Sequence, residues 1–164
     1  MNEALEYIMS ALLIGIGATI ILDLWSLLLR QFGVATTNWG MVGRWIGHMP
    51  RGTFAHANVA DAAPIPGERA IGWIAHYAIG VFYAAVLLAI TGLAWAHAPT
   101  LAPPLILGWA TLVAPFFVMQ PGMGAGIAAS KTPKPNVTRL KAVLSHTVFG
   151  LGMYLTAALL AQAH

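Results

Sequence analysis

Three titratable side chains, Asp23, His76 and His146, stand inside long apolar stretches of this sequence. Each lies seven residues from an arginine at the end of its stretch: Asp23 before Arg30, His76 after Arg69, and His146 after Arg139. On helices rising 1.5 Å per residue, that spacing sets all three roughly 10 Å inside a membrane boundary, at one level. Ionisable groups at such depth are costly and default to functional candidates. Two neutral imidazoles and a carboxylate form a donor set for a transition-metal ion, with Asp23, His76 and His146 as its ligands. His76 and His146 alone can ligate a haem iron. Gly80 and Gly150 would then give the macrocycle room, and Arg69 and Arg139 would lie near its propionates. The same groups can carry protons, as in a small proton-coupled transporter or channel subunit. They can also do no chemistry at all, because a hydrogen-bonded Asp–His pair joining two membrane helices contributes only about 0.6 to 2 kcal/mol. Residue type leaves these readings open.

Other candidates are weaker. His48, His56 and Asp61 could form a metal site in a loop, although histidines at an interface are commonly just solvated. Met119 and Met123 are soft ligands, but methionine near a span end usually packs against lipid. Gly122-x-Gly124-x-Gly126 is no dinucleotide fingerprint, since no strand precedes it. With no cysteine in the chain, thiolate metal sites, thiol nucleophiles and disulfides are all excluded.

The elements that must position these groups are apolar helices. Hydrophobic residues make up 59% of the 164 and charged residues 8%, against roughly 25% charged in soluble domains. A chain this short cannot hide that much apolar surface within itself, so lipid is the expected solvent and the bilayer its first partner. A span needs about 20 mostly apolar residues. The sequence predicts four, near residues 7–30, 71–95, 101–120 and 141–161, in a single all-α membrane domain covering 1–164: a four-transmembrane-helix bundle. Ala98-Pro99 and Pro103-Pro104 mark the turn between spans two and three, because proline is tolerated in a first helical turn and disruptive later. Pro115 should free the carbonyl of Thr111 and kink span three. Thr37 or Asn38 can cap a short interfacial helix in the first connection, with Trp39, Val42, Trp45, Ile46 and Met49 on one face and Arg44, His48 and Arg51 toward water or headgroups. Segments 62–67 and 130–136 are Pro-rich and expected to be extended. Small and polar stripes should face the bundle interior: Gly15, Thr19, Asp23, Ser26 and Arg30 on span one; Gly72, His76, Gly80 and Tyr83 on span two; Thr111, Pro115 and Met119 on span three; His146, Gly150 and Ala157 on span four.

The start of the chain does not read as a cleavable secretion signal, since Glu3 and Glu6 replace the usual positive charge. All eight Lys and Arg lie at or between the ends of spans one and two, or near those of spans three and four. With four spans these two connections share a side. The positive-inside tendency makes that side the cytoplasm and puts both termini outside, in a bacterial-type inner membrane. The same tendency accounts for the pI of 9.6 without nucleic acid as a partner.

The approaches to spans two and four are alike. Pro64-x-Pro66, Arg69, His76 and Gly80 are answered by Pro133-x-Pro135, Arg139, His146 and Gly150, with Arg, His and Gly repeating at an offset of 70. This pattern predicts two tandem helical hairpins related by an axis along the membrane normal. Gly43-Arg44-Trp45-x2-His48, Glu68-x3-Gly72-Trp73-x2-His76-Tyr77, Met119-Gln120-Pro121-x2-Gly124, Ala129-Ser130-x-Thr132-Pro133-x-Pro135 and His146-x2-Phe149-Gly150 together resemble a family of small bacterial membrane proteins classed only as a domain of unknown function. The resemblance covers nearly the whole chain and implies a polytopic inner-membrane protein. It supplies no catalytic or binding residues. A homo-oligomer or a place in a larger membrane complex fits such a chain.

The orientation is testable. Cysteines introduced at Asn58 and Thr132 should be shielded from an impermeant thiol reagent in intact cells, and one at Ala98 should react. Equal labelling at all three would overturn it.

Overall fold

The computed structural model describes residues Asn2–Gln162. Among them there is helix and no strand. Four helices are long and apolar enough to cross a membrane: α1 (Glu3–Gln31), α3 (Glu68–Thr91), α5 (Ala102–Gly122) and α6 (Pro135–Ala161). Two shorter helices lie between them, α2 (Trp39–His48) and α4 (Leu93–His97). This is the four-helix, membrane-compatible class that the composition predicts, with the short helix in the first long connection.

Local chemistry sets the helix ends. Asn2 caps α1 by accepting from the Leu5 N–H at 2.8 Å. Asn38, rather than Thr37, caps α2, accepting from the N–H groups of Gly40 and Met41. Gly92 has φ of 77° and ends α3 earlier than the turn prolines alone imply, so a separate short α4 precedes the connection. Pro135 opens α6 well before the expected start of span four, because a proline at the first helical position costs no hydrogen bond. Residues 130–134 are therefore turns and bends rather than an extended strand-like segment.

Within α5, Pro115 has the predicted effect in a specific form. The Thr111 carbonyl accepts from Ala114 N–H at 3.1 Å instead, and Pro115–Met119 winds as a π turn. Lost bonds are thus partly recovered by local 3₁₀ and π adjustment.

The chain forms two compact units. The first holds residues up to Thr36, Tyr77–Ala110 and the chain from Ser145 onward. Its core is built from Ile14, Ala18, Leu87, Leu88, Phe149 and Met153 with their smaller neighbours. Glycines bring its helices together. A methyl group at Gly15 would strike the backbone of Gly80 and Val81, and one at Gly80 would strike Thr19. Likewise, a methyl at Gly108 would strike the His146 carbonyl, and one at Gly150 the carbonyl of Pro104. Gly80 and Gly150, the related pair of the sequence repeat, each mark a place where two helices nearly touch backbone to backbone. At one end of this unit Glu6 Oε1 and His97 Nε2 are 2.6 Å apart, the Tyr7 hydroxyl donates to the Ala85 carbonyl, and Trp95 Nε1 donates to Thr100.

The second unit holds Thr37–His76 and Thr111–Leu144. Here α2 lies against the start of α3 so closely that a methyl at Gly43 or Gly72 would overlap the carbonyl of Glu68 or Trp39. Val42 and Trp45 are buried, as the apolar face of α2 requires. Arg44, expected to face water or headgroups, is turned inward: its side chain is 11% exposed, paired with Glu68 at 2.8 Å and bonded to the carbonyls of Ala60 and Ala62. Glu68 is held in turn by the N–H of Ile65. A bidentate carboxylate beside the α2 surface outcompetes solvent for the guanidinium and holds Arg44 above its already high pKa. Segment 56–59 runs along the end of α5, with His56 N–H donating to the Gly122 carbonyl and Val59 N–H to that of Met123. Ala128 and Ala129 both have positive φ, 47° and 61°, in a tight loop that Arg139 fastens by donating to the Ala128 carbonyl at 2.8 Å.

The membrane-compatible helices carry large apolar side chains on their outer faces, among them Leu24, Ile90, Ile106, Phe117 and Leu159, each more than half exposed. Water would penalise such a surface and lipid would not. The close contacts make a stability prediction. Gly72→Ala and Gly150→Ala should each destabilise the detergent-solubilised protein by about 1–3 kcal/mol through backbone overpacking, while Leu159→Ala on the outer face should be nearly neutral. A thermal or denaturant titration showing all three alike would refute it.

Candidate intramembrane site

In the first unit, Asp23 lies on α1 between Thr19, which is buried and donates back to the Gly15 carbonyl at 2.8 Å, and Arg30 at the helix end. The Asp23 carboxylate accepts a 2.9 Å hydrogen bond from the hydroxyl of Tyr77 on α3. Tyr77 is a site residue that the sequence pattern does not single out. Its signal was present: it neighbours His76 in the chain, and so shares its depth. A phenol is both donor and acceptor, so it can serve an ionised carboxylate by donating and a neutral one by accepting.

His146 sits on α6 with Nδ1 at 3.0 Å from the Gly108 carbonyl oxygen on α5. A carbonyl only accepts, so Nδ1 carries the proton. In the neutral ring the lone pair is then on Nε2. One residue on, Thr147 accepts from Trp109 Nε1 at 2.9 Å, adding a second polar tie between these two helices. Close approach at Gly108 and Gly150 makes both ties possible: the same absent side chains that let the backbones meet expose a carbonyl to the histidine ring.

In the second unit His76 is 6% exposed and lies flat against Trp39, ring centres 3.9 Å apart and planes tilted by 24°. Trp73 meets the same ring edge-on at 5.6 Å. Trp39 reaches it because α2 packs onto α3 at Gly72. The sequence placed Trp39 on the apolar face of an interfacial helix; only the crossing of α2 over α3 makes it the cover of His76.

Among the described residues no three His, Asp or Glu side chains are placed to share a metal ion. In particular Asp61 does not join His48 and His56. Its carboxylate accepts from the Asn58 amide at 2.9 Å, within its own 3₁₀ turn. His48 and His56 themselves do meet, with ring centres 5.0 Å apart and planes nearly perpendicular.

Among the described residues the fold is all-helical, with four helices long and apolar enough to cross a bilayer. The chain belongs to the DUF2938 family, proteins of unknown function, whose profile matches residues 12–160. No curated protein and no solved structure matches it.

The Asp23–Tyr77 bond has a measurable weight. Tyr77→Phe should cost about 1 kcal/mol, the net value of one intramolecular hydrogen bond. Asp23→Asn should cost less, because the amide oxygen still accepts. Unfolding of the purified variants by a graded denaturant checks the order, and the reverse ranking would show that Tyr77 is not the partner that matters.

Proposed function

We propose that this protein is a multi-pass protein of a bacterial inner membrane, both termini outside, that carries protons through Asp23 as a small transporter or channel subunit. The observation that supports this reading is the 2.9 Å bond between Asp23 and Tyr77. Both charge states of the carboxylate find a partner in the same hydroxyl. A group that gains and loses a proton in lipid needs such a partner, since an unsatisfied carboxyl at that depth is expensive in either form. The one-sided placement of Lys and Arg supports the orientation.

A second reading, binding of a haem or metal ion at His146, is favoured by its hydrogen bond to Gly108. Ligating histidines usually donate their other ring N–H to a carbonyl or carboxylate, which fixes the tautomer with the coordinating nitrogen outward. An absorption spectrum and metal analysis of the purified protein separate the readings. A cofactor lost in His146→Gln would favour ligation.

The proton reading is tested in liposomes loaded with a pH-sensitive dye. Protein-containing vesicles should dissipate an imposed pH gradient faster than empty ones, and Asp23→Asn should remove that excess while leaving the fold intact, because Asn does not titrate. A wild-type rate equal to that of Asp23→Asn would overturn the proposal.

A further inference from the structure

The second unit contains a pair of groups that the proposed proton path does not use. His48 ends α2, and its Nε2 lies 2.9 Å from the Ala63 carbonyl. That bond requires a proton on Nε2 and puts the lone pair of the neutral ring on Nδ1. His56 belongs to the segment laid along the end of α5 through its backbone bond to Gly122. Both of its ring nitrogens are shut off from solvent and have no hydrogen-bond partner among the described residues. An enclosed neutral imidazole has one donor and one acceptor to satisfy, and leaving them unmet is costly, so such a group commonly marks a bound ion or water. Its neighbour is the second histidine, ring centre to ring centre 5.0 Å. Two imidazoles on one tetrahedral ion, with metal–nitrogen bonds of about 2.0–2.1 Å, bring their ring centres to roughly 5 Å.

We propose that His48 and His56 bind a divalent transition-metal ion of the zinc or nickel type. Imidazole nitrogen suits these ions. Because no third His, Asp or Glu side chain joins the pair among the described residues, the ion takes its remaining ligands from water or main-chain oxygen. The charge balance is favourable. Arg44, the other cation of α2, is already neutralised by Glu68. The Ala63 carbonyl behind His48 plays the orienting part that ligating histidines usually require. Bound there, the ion ties the end of α2 to residue 56, and so fastens the first long connection in the fold of the second unit. The site is separate in sequence and chemistry from Asp23, Tyr77 and His146.

The test uses the full chain in detergent after chelator treatment. Zinc added in a calorimetric titration should bind at about one equivalent per chain and raise the unfolding temperature, as any ligand of the folded state does. His48→Gln and His56→Gln should each weaken binding by roughly tenfold or more, because Gln replaces imidazole poorly as a ligand. His97→Gln, in a histidine paired with Glu6, should leave it unchanged. Cobalt(II) provides a readout that needs no variant: the wild-type protein should develop the visible bands of a nitrogen-ligated tetrahedral ion. Absence of zinc binding and of cobalt bands in the wild type would overturn the proposal. So would binding that survives both substitutions, or binding lost in His146→Gln and kept in the other two.

Discussion

A bilayer interior offers no hydrogen bonds, so every polar atom on a crossing helix must be satisfied by the protein itself. Between two such helices, a short side chain can reach the neighbouring main chain only where the backbones come close. In this chain glycine sets that closeness. Gly15, Gly108 and Gly150 are positions where one methyl group would collide with the neighbouring main chain, and at Gly80 it would collide with the Thr19 side chain. The polar ties of the first unit sit at or near them. Thr19 turns its hydroxyl back on the Gly15 carbonyl, and His146 reaches the carbonyl of Gly108. Lipid supplies no hydrophobic force that presses apolar helices together, so in a bilayer van der Waals contact at small residues and these few hydrogen bonds carry the association.

The second unit solves a different problem, that of holding a long polar connection against helix ends. It does so with charge and aromatic surface. Arg44 gathers Glu68 and two backbone carbonyls, and thereby fixes α2, segment 60–62 and the first residue of α3 at once. The charge is not spread into solvent, so removing Arg44 would leave a carboxylate and two carbonyls to find new partners. Trp39 and Trp73 enclose His76. The two alanines in left-handed backbone, Ala128 and Ala129, show the cost of the tight loop after α5. Non-glycine residues adopt that conformation only where the surroundings impose it, and Ala129 is fully buried with its carbonyl accepting from the Thr132 hydroxyl.

These constraints bear on function. Polar groups on the apolar helices are held by neutral partners: a phenol for Asp23 and a carbonyl for one nitrogen of His146. In the polar connection, by contrast, Arg44 is held in a fixed pair with Glu68, while the enclosed nitrogens of His56 have no partner among the described residues.

The sequence by itself determined the four apolar helices, because a run of some twenty uncharged residues has few other uses and the period of glycine and threonine marks the packed face. It also determined the family, from motifs spread over nearly the whole chain, and the disturbance at Pro115, since a missing N–H is a local fact. Tertiary structure alone decided the rest. That Tyr77 is the partner of Asp23 depends on how α1 and α3 are rotated against each other, which a one-residue change of register would alter. That Arg44 points inward depends on Glu68, 24 residues away, arriving beside it. The meeting of His48 with His56, and its exclusion of Asp61, depends on where a loop without periodicity crosses the end of α5. Periodicity can be read along one helix; the meeting of residues distant in sequence is set by packing, and no local pattern records it.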